Sequence, residues 1–226
     1  MIFEAPINLL EGIDESLTEL MSGAPFVVAL GIAALLGLRH ASDPDHLVAV
    51  TSLAADDRDA SGAVRLGAWW GLGHAATLLA VGLPLVLLET ALPGWLESGA
   101  EKLIGAVIIF LALRLLFRWF RKRNSERERR DPIRTSREAL AVGVLHGLAG
   151  TGAVVVLLLA QLPSQTAAAF ALLAFAPMSV ISMVACTSGF AWALTRPAVL
   201  PLYSSYVLPA LGAFSLLFGA WYAGIV

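Results

Sequence analysis

Cysteine is all but missing from this chain, with Cys186 alone among 226 residues, which excludes an internal disulfide and a cysteine-rich metal site. Charge is scarce too: Asp, Glu, Lys and Arg make up 14% of the residues against 58% hydrophobic, and mean hydropathy is +0.78. That composition has no place for a soluble nucleic-acid module and describes a polytopic membrane protein folded as one compact bundle. Residues 1–22 contain no Lys or Arg, so the positive start of a signal peptide is missing. No P-loop occurs, which removes nucleotide-driven pumping by this chain alone. The net charge of −2 says little, because the charges are segregated along the chain rather than mixed.

The charges that do occur inside apolar sequence stand out for that reason. Residues 37–50 read G-L-R-H-A-S-D-P-D-H-L-V-A-V, which sets Arg39, His40, Asp43, Asp45 and His46 near the middle of a membrane-length run over 24–55. An ionised side chain at the centre of a bilayer helix costs about 2.5–3.5 kcal/mol, so Arg39, Asp43 and Asp45 unpaired would cost roughly 8–10 kcal/mol. At about 100° per residue, His40, Asp43 and His46 share one stripe of a helix and Asp45 points elsewhere. Pro44 has no N–H for the His40 carbonyl and its ring clashes there, so the first span should break near Pro44, turn Asp45 toward the imidazoles and release that carbonyl. Irregular backbone at membrane depth is tolerated where it lines a protected cavity. Two imidazoles and two carboxylates suit a divalent transition ion such as nickel, cobalt or zinc, not sodium or potassium. A plain Arg39–Asp43 pair at i, i+4 is the simpler reading, but it leaves Asp45 and His46 unexplained.

Further spans are expected over 63–88, 102–120, 139–160, 167–194 and 203–225, making six transmembrane helices in an all-α integral membrane protein. Before them, Leu10, Ile13, Leu17 and Leu20 recur at helical spacing in an acidic segment, so residues 1–22 read as an amphipathic helix lying on the membrane surface. Residues 23–226 form the single transmembrane domain. Arg58 and Arg65 follow the first span, the basic run over 121–138 follows the third and Arg196 follows the fifth, whereas the opposite side has only Lys102. Basic loops stay in the cytoplasm, so both termini are expected outside and 121–138 inside.

The second span carries W-W-G-L-G-H-A-A-T and with it His74, while Gly71 and Gly73 permit close approach of a neighbour. The fourth carries G-V-L-H-G-L-A-G-T-G-A-V-V-V and His146. Setting Gly37 on Gly143 lays His40 on His146, and W-W-G-L-G-H-A-A-T lays more loosely on A-F-A-P-M-S-V-I-S of the fifth span. Three spans per half is an odd number, so the halves, 24–120 and 139–225, must be inverted, as in many secondary transporters whose substrate sits between the halves. All four histidines of the chain fall inside apolar spans.

R-H-A-S-D-P-D-H-L resembles the H-x4-D-H signature of the nickel/cobalt transporter superfamily, with His40, Asp45 and His46 at its fixed positions and Pro44 in place of the usual Ala. L-G-H-A is similar to that family's L-G-H-S, with Ala75 for Ser. The signatures F-D-T-A-T-E and D-T-x-D-G of the larger members are absent, and H-G-L-A-G-T-G stands in their place, which is similar to the shorter, urease-accessory-like membrane proteins. The resemblance implies a secondary transporter that carries Ni²⁺ or Co²⁺ as cargo, holds no prosthetic group, is not an enzyme and has membrane lipids and nickel-enzyme maturation proteins as partners. His40, Asp45 and His46 are its expected ligands, with His74 and Asp43 next and His146 after them. Two enzyme readings compete: His40 with Asp45 also spells the H-x4-D of glycerolipid acyltransferases, where histidine is a general base, and three ligands plus water make a metallohydrolase.

Overall fold

The computed structural model describes residues 12, 16–17, 19–43, 46–47, 60–91, 93–124, 135–194, 196 and 203–225. Apolar segments without period-two alternation satisfy their backbone in lipid as helices, and no strand occurs among the described residues. In chain order the helices are α1 (Phe26–His40), α2 (Ala60–Leu87), α3 (Gly94–Asn124), α4 (Ser136–Gln161), α5 (Gln165–Leu194) and α6 (Leu208–Tyr222). The start of α4 is fixed by a capping box, in which the Thr135 hydroxyl accepts from the Glu138 amide at 3.3 Å and the Glu138 carboxylate accepts from the Thr135 amide at 3.5 Å. A π-helical turn, Tyr203–Val207, leads into α6. Pro209, near the start of α6, has no N–H to continue the ladder, and the turn before it widens.

Four helical segments among the described residues are long and apolar enough to cross a membrane: Gly62–Leu87, Gly94–Arg121, Gln165–Ala193 and Ser205–Tyr222. A fifth is bent by 44° between Ser136–Thr151 and Ala153–Gln161, at the G-T-G where glycine weakens the helix. The 15 residues of α1 reach only about 22 Å at 1.5 Å each, short of the ~30 Å hydrocarbon layer. Large apolar side chains face outward, with Val27 78% exposed, Phe110 61% and Leu217 58%. Such a surface is stable against lipid and not against water, and the protein is a multi-pass membrane protein.

The helices expected over 63–88, 139–160 and 167–194 differ from α2, α4 and α5 by a few residues, and α5 is continuous through Pro177. The first span differs more. α1 ends at His40, ahead of Pro44, and the chain turns through residues 41–43 before His46 and Leu47 are again helical. Residues 44–45 and 48–59, most of residues 1–18 and residues 125–134 of the basic loop lie outside the described residues. The His40 carbonyl is not released, as the loss of the Pro44 amide had implied; it accepts the Asp43 amide at 3.1 Å.

α2 lies against both α4 and α5, α1 packs on α5, and α3 packs on α6 and α4. Glycine sets the closest approaches. A Cβ on Gly37 of α1 would collide with the Phe175 carbonyl of α5, and one on Gly143 of α4 with the Trp70 carbonyl of α2, so only the smallest side chain lets these backbones touch. One apolar layer joins α1, α2, α4 and α5 around Leu36, Leu78, Leu158 and Phe175. A second holds Ala41, Leu66, Trp70 and Met183.

Candidate metal centre

Between those layers lie all four histidines. His40 ends α1 and His46 follows the turn, while His74 sits midway along α2 and His146 on α4. His74 is fully buried and His46 and His146 are 2% exposed, a placement few imidazoles reach without a purpose or a partner. The Nε2 atoms of His40 and His74 are 3.0 Å apart. One nitrogen atom from each of His40, His46 and His74 falls within 4.8 Å of the other two. His146 stands at the far side of His46, with ring centroids 4.1 Å apart, and 6.0 Å from His74.

Local structure explains how α1 delivers His40. Ser182 of α5 accepts the Ala41 amide at 3.2 Å and its hydroxyl lies 3.3 Å from the Gly37 carbonyl, so it satisfies backbone groups that the end of α1 would otherwise leave open in an apolar interior. Phe175 packs on the His40 ring at 5.1 Å between centroids. Across the cluster Trp70 holds a matching place, 5.7 Å from His46 and 6.0 Å from His146. His74 is pinned from behind: Gly147 of α4 faces its carbonyl so closely that a Cβ would stand 2.5 Å from that oxygen.

The charges are arranged in a row. Arg39 Nη2 donates to Asp43 Oδ1 at 2.7 Å, and Asp43 Oδ2 lies 3.1 Å from His40 Nδ1. Both ring nitrogens of His40 are thus engaged, Nδ1 by the Asp43 carboxylate and Nε2 by His74, and one proton bridges the 3.0 Å contact between the two imidazoles. Two imidazoles on one ion at about 2.0–2.1 Å place their nitrogens roughly 3.0–3.4 Å apart. A divalent cation would therefore replace that proton with little movement of either ring. The carboxylate behind His40 is the supporting partner that metal-bound histidines use.

Of the residues expected from sequence, His40, His46, His74 and His146 converge, and Asp43 touches His40 from the side of Arg39. Asp45 lies outside the described residues. Trp70, Phe175 and Gly147 were not expected at the centre. W-W-G-L-G-H places Trp70 one helical turn before His74, which was a usable signal; the glycines of H-G-L-A-G-T-G point to close approach by the fourth helix, though not to His74 as what Gly147 approaches, and Phe175 had no signal because its partner lies on another helix.

Fold and cluster thus define a multi-pass membrane protein with a preassembled, buried imidazole cluster at its centre. Over 206 residues, covering 87% of this chain and 90% of the relative, the sequence is 24% identical to the urease accessory protein UreH of Bacillus sp. (strain TB-90). Over 89 residues, 38% of this chain and 25% of that protein, it is 35% identical to the high-affinity nickel transport protein of Cupriavidus necator. The chain is thus similar to a urease accessory protein and, over part of its length, to a nickel transport protein, in line with the resemblance of R-H-A-S-D-P-D-H-L to the nickel/cobalt transporter signature. No family model matches it, and no solved structure matches it significantly.

Proposed function

We propose that the protein carries Ni²⁺ or Co²⁺ across the membrane through a site built by His40, His46 and His74, with Asp43 positioning His40, Asp45 completing the ligand set and His146 at its far edge. The observation that carries this reading is the meeting of three ligating nitrogens within 4.8 Å, in a protein whose every imidazole comes to the same place. The nickel transport named for one relative and the urease accessory role named for the other agree with a nickel cargo and a supply to nickel-enzyme maturation proteins. Neither relative is named for lipid or peptide chemistry, which weighs against the acyltransferase and hydrolase readings.

The architecture we infer is six spans in two inverted halves, with both termini outside and 121–138 in the cytoplasm. Exchange of the first, second and third helices with the fourth, fifth and sixth turns the α1–α5 contact into the α4–α2 contact and leaves α2–α5 and α3–α6 as they are, so the largest helix contacts support the relation, while the smaller α3–α4 contact has no α6–α1 counterpart of similar size among the described residues. The sequence register of Gly37 on Gly143 and Trp70 on Phe175 supports the same relation. In that register the Gly37–Phe175 carbonyl approach pairs with the Gly143–Trp70 carbonyl approach, and the His40–Phe175 ring contact with the His146–Trp70 one.

The test is uptake of radioactive nickel and cobalt into proteoliposomes by the native chain and by His46→Ala. Uptake by the native chain that the substitution abolishes is the expected result. Uptake unaffected by His46→Ala refutes the site, and turnover of a lipid or peptide without uptake refutes transport.

A further inference from the structure

His46 stands between two other imidazoles at nearly equal distance, 4.3 Å from His40 and 4.1 Å from His146 between ring centroids. His74 is likewise within reach of both, at 5.0 Å and 6.0 Å. Two sets of three ligands can therefore be drawn that share His46 and His74 and differ only in the third member. The set with His40 is assembled here, whereas His146 is a step away from His74.

Which helices carry the two alternates gives this arrangement a mechanical meaning. His40 rides on α1, which is clamped to α5 by the Gly37 contact and by Ser182. His146 rides on α4, which is clamped to α2, and so to His74, by Gly143 and Gly147. α5 in turn meets α2 at Gly67 and Gly71, so the movable element is α1. Its displacement would draw His40 from His74 without moving His146, whose ring, 6.0 Å from His74, would then turn about its own side-chain bonds to take the vacated place. Packed helix pairs move by such small shear steps, and a barrier-lowering path between two faces of a transporter keeps the ion ligated throughout.

Resting on the transport reading above, we infer that His40 and His146 are alternate third ligands, His40 in the state described here and His146 in the state open to the opposite side. During the passage one metal–nitrogen bond, to His40 Nε2, breaks and one to a ring nitrogen of His146 forms. The ion remains divalent, the number of imidazoles stays at three and no electron moves. His40 and His146 hold equivalent places under the inverted repeat, whereas His46 and His74 fall on Gly152 and Ser179 and so have no counterparts, which suits the first two as the exchanging ligands and the last two as the shared ones.

Equilibrium titration of the detergent-purified chain with Co²⁺, followed by its visible ligand-field bands, is combined with initial uptake into proteoliposomes for the native chain, His40→Ala and His146→Ala. The expected pattern is that His40→Ala weakens binding at least about tenfold, the low end of what even a supporting partner of a metal ligand is worth. His146→Ala is expected to keep the affinity and the bands of the native protein while uptake falls at least about tenfold. His146→Gln, which retains volume and polar atoms, is read in its place if the alanine variant aggregates. Equal loss of affinity in both variants means one four-imidazole site and overturns the exchange. Native uptake by the His146 variant overturns it too. If the native chain neither binds nor carries Co²⁺, the transport reading itself falls, an outcome distinct from either of those.

Discussion

Two glycines three residues apart on α4 should respond in opposite ways to the same methyl group. On Gly147 a Cβ would stand 2.5 Å from the His74 carbonyl oxygen and 3.0 Å from both the His74 Cα and the Thr77 Cβ. Restoring an ordinary separation of about 3.0–3.4 Å requires α2 and α4 to part by roughly 0.5–0.9 Å, an overpacking strain that typically costs about 1–3 kcal/mol. The displaced residue is His74 itself, and metal–ligand distances tolerate only about ±0.2 Å. Gly147→Ala should therefore lower Ni²⁺ or Co²⁺ affinity by about tenfold or more, equivalent to at least ~1.4 kcal/mol, and lower the unfolding temperature. On Gly150 a Cβ meets only the His74 ring carbon Cε1, at 4.0 Å, which is ordinary contact. Gly150→Ala should leave affinity unchanged and stabilise the helix by up to about 1 kcal/mol through propensity alone. Thermal unfolding and calorimetric titration of the two purified variants measure both quantities. Native behaviour of Gly147→Ala, or an equal loss in both variants, would refute the idea that this backbone contact sets the position of His74.

Two other outcomes follow from the charge row. Asp43→Asn removes the ionised acceptor behind His40 Nδ1 and the partner of Arg39, and should weaken metal binding by about 10–100-fold while the chain still elutes as a folded species; titration at unchanged affinity would show the carboxylate to be a structural ion pair only. Imidazole ligates only when neutral, so protons compete with the metal: affinity should fall as pH is lowered, and the binding enthalpy in acid should vary with the ionisation enthalpy of the buffer. A pH-independent affinity would remove the histidines as ligands.

Much of this could be read from residue order. The lengths of α2, α4 and α5 follow from apolar runs ended by Pro, Gly and charge, and the convergence of the histidines follows from the cost of leaving each of them alone in lipid. The break near Pro44 was legible, since α1 ends at His40, the residue whose carbonyl a proline four places on obstructs, but the partner that holds this end was not. Here Ser182, 141 residues further along the chain, receives the Ala41 amide. The same reason hides Phe175 and the partner of Gly147: the glycines of H-G-L-A-G-T-G announce a close approach, but which backbone they approach arises from contacts between helices. Glycines 37 and 143 could be aligned with one another from sequence, but the carbonyls they approach could not.

That every imidazole in the molecule resides in one cluster makes the protein a spectroscopic convenience. Histidine labelled with nitrogen-15, incorporated into a chain purified without a histidine tag, would yield resonances from four residues and no background from elsewhere. Tautomer, protonation and paramagnetic broadening by nickel could then be followed ring by ring in a lipid nanodisc.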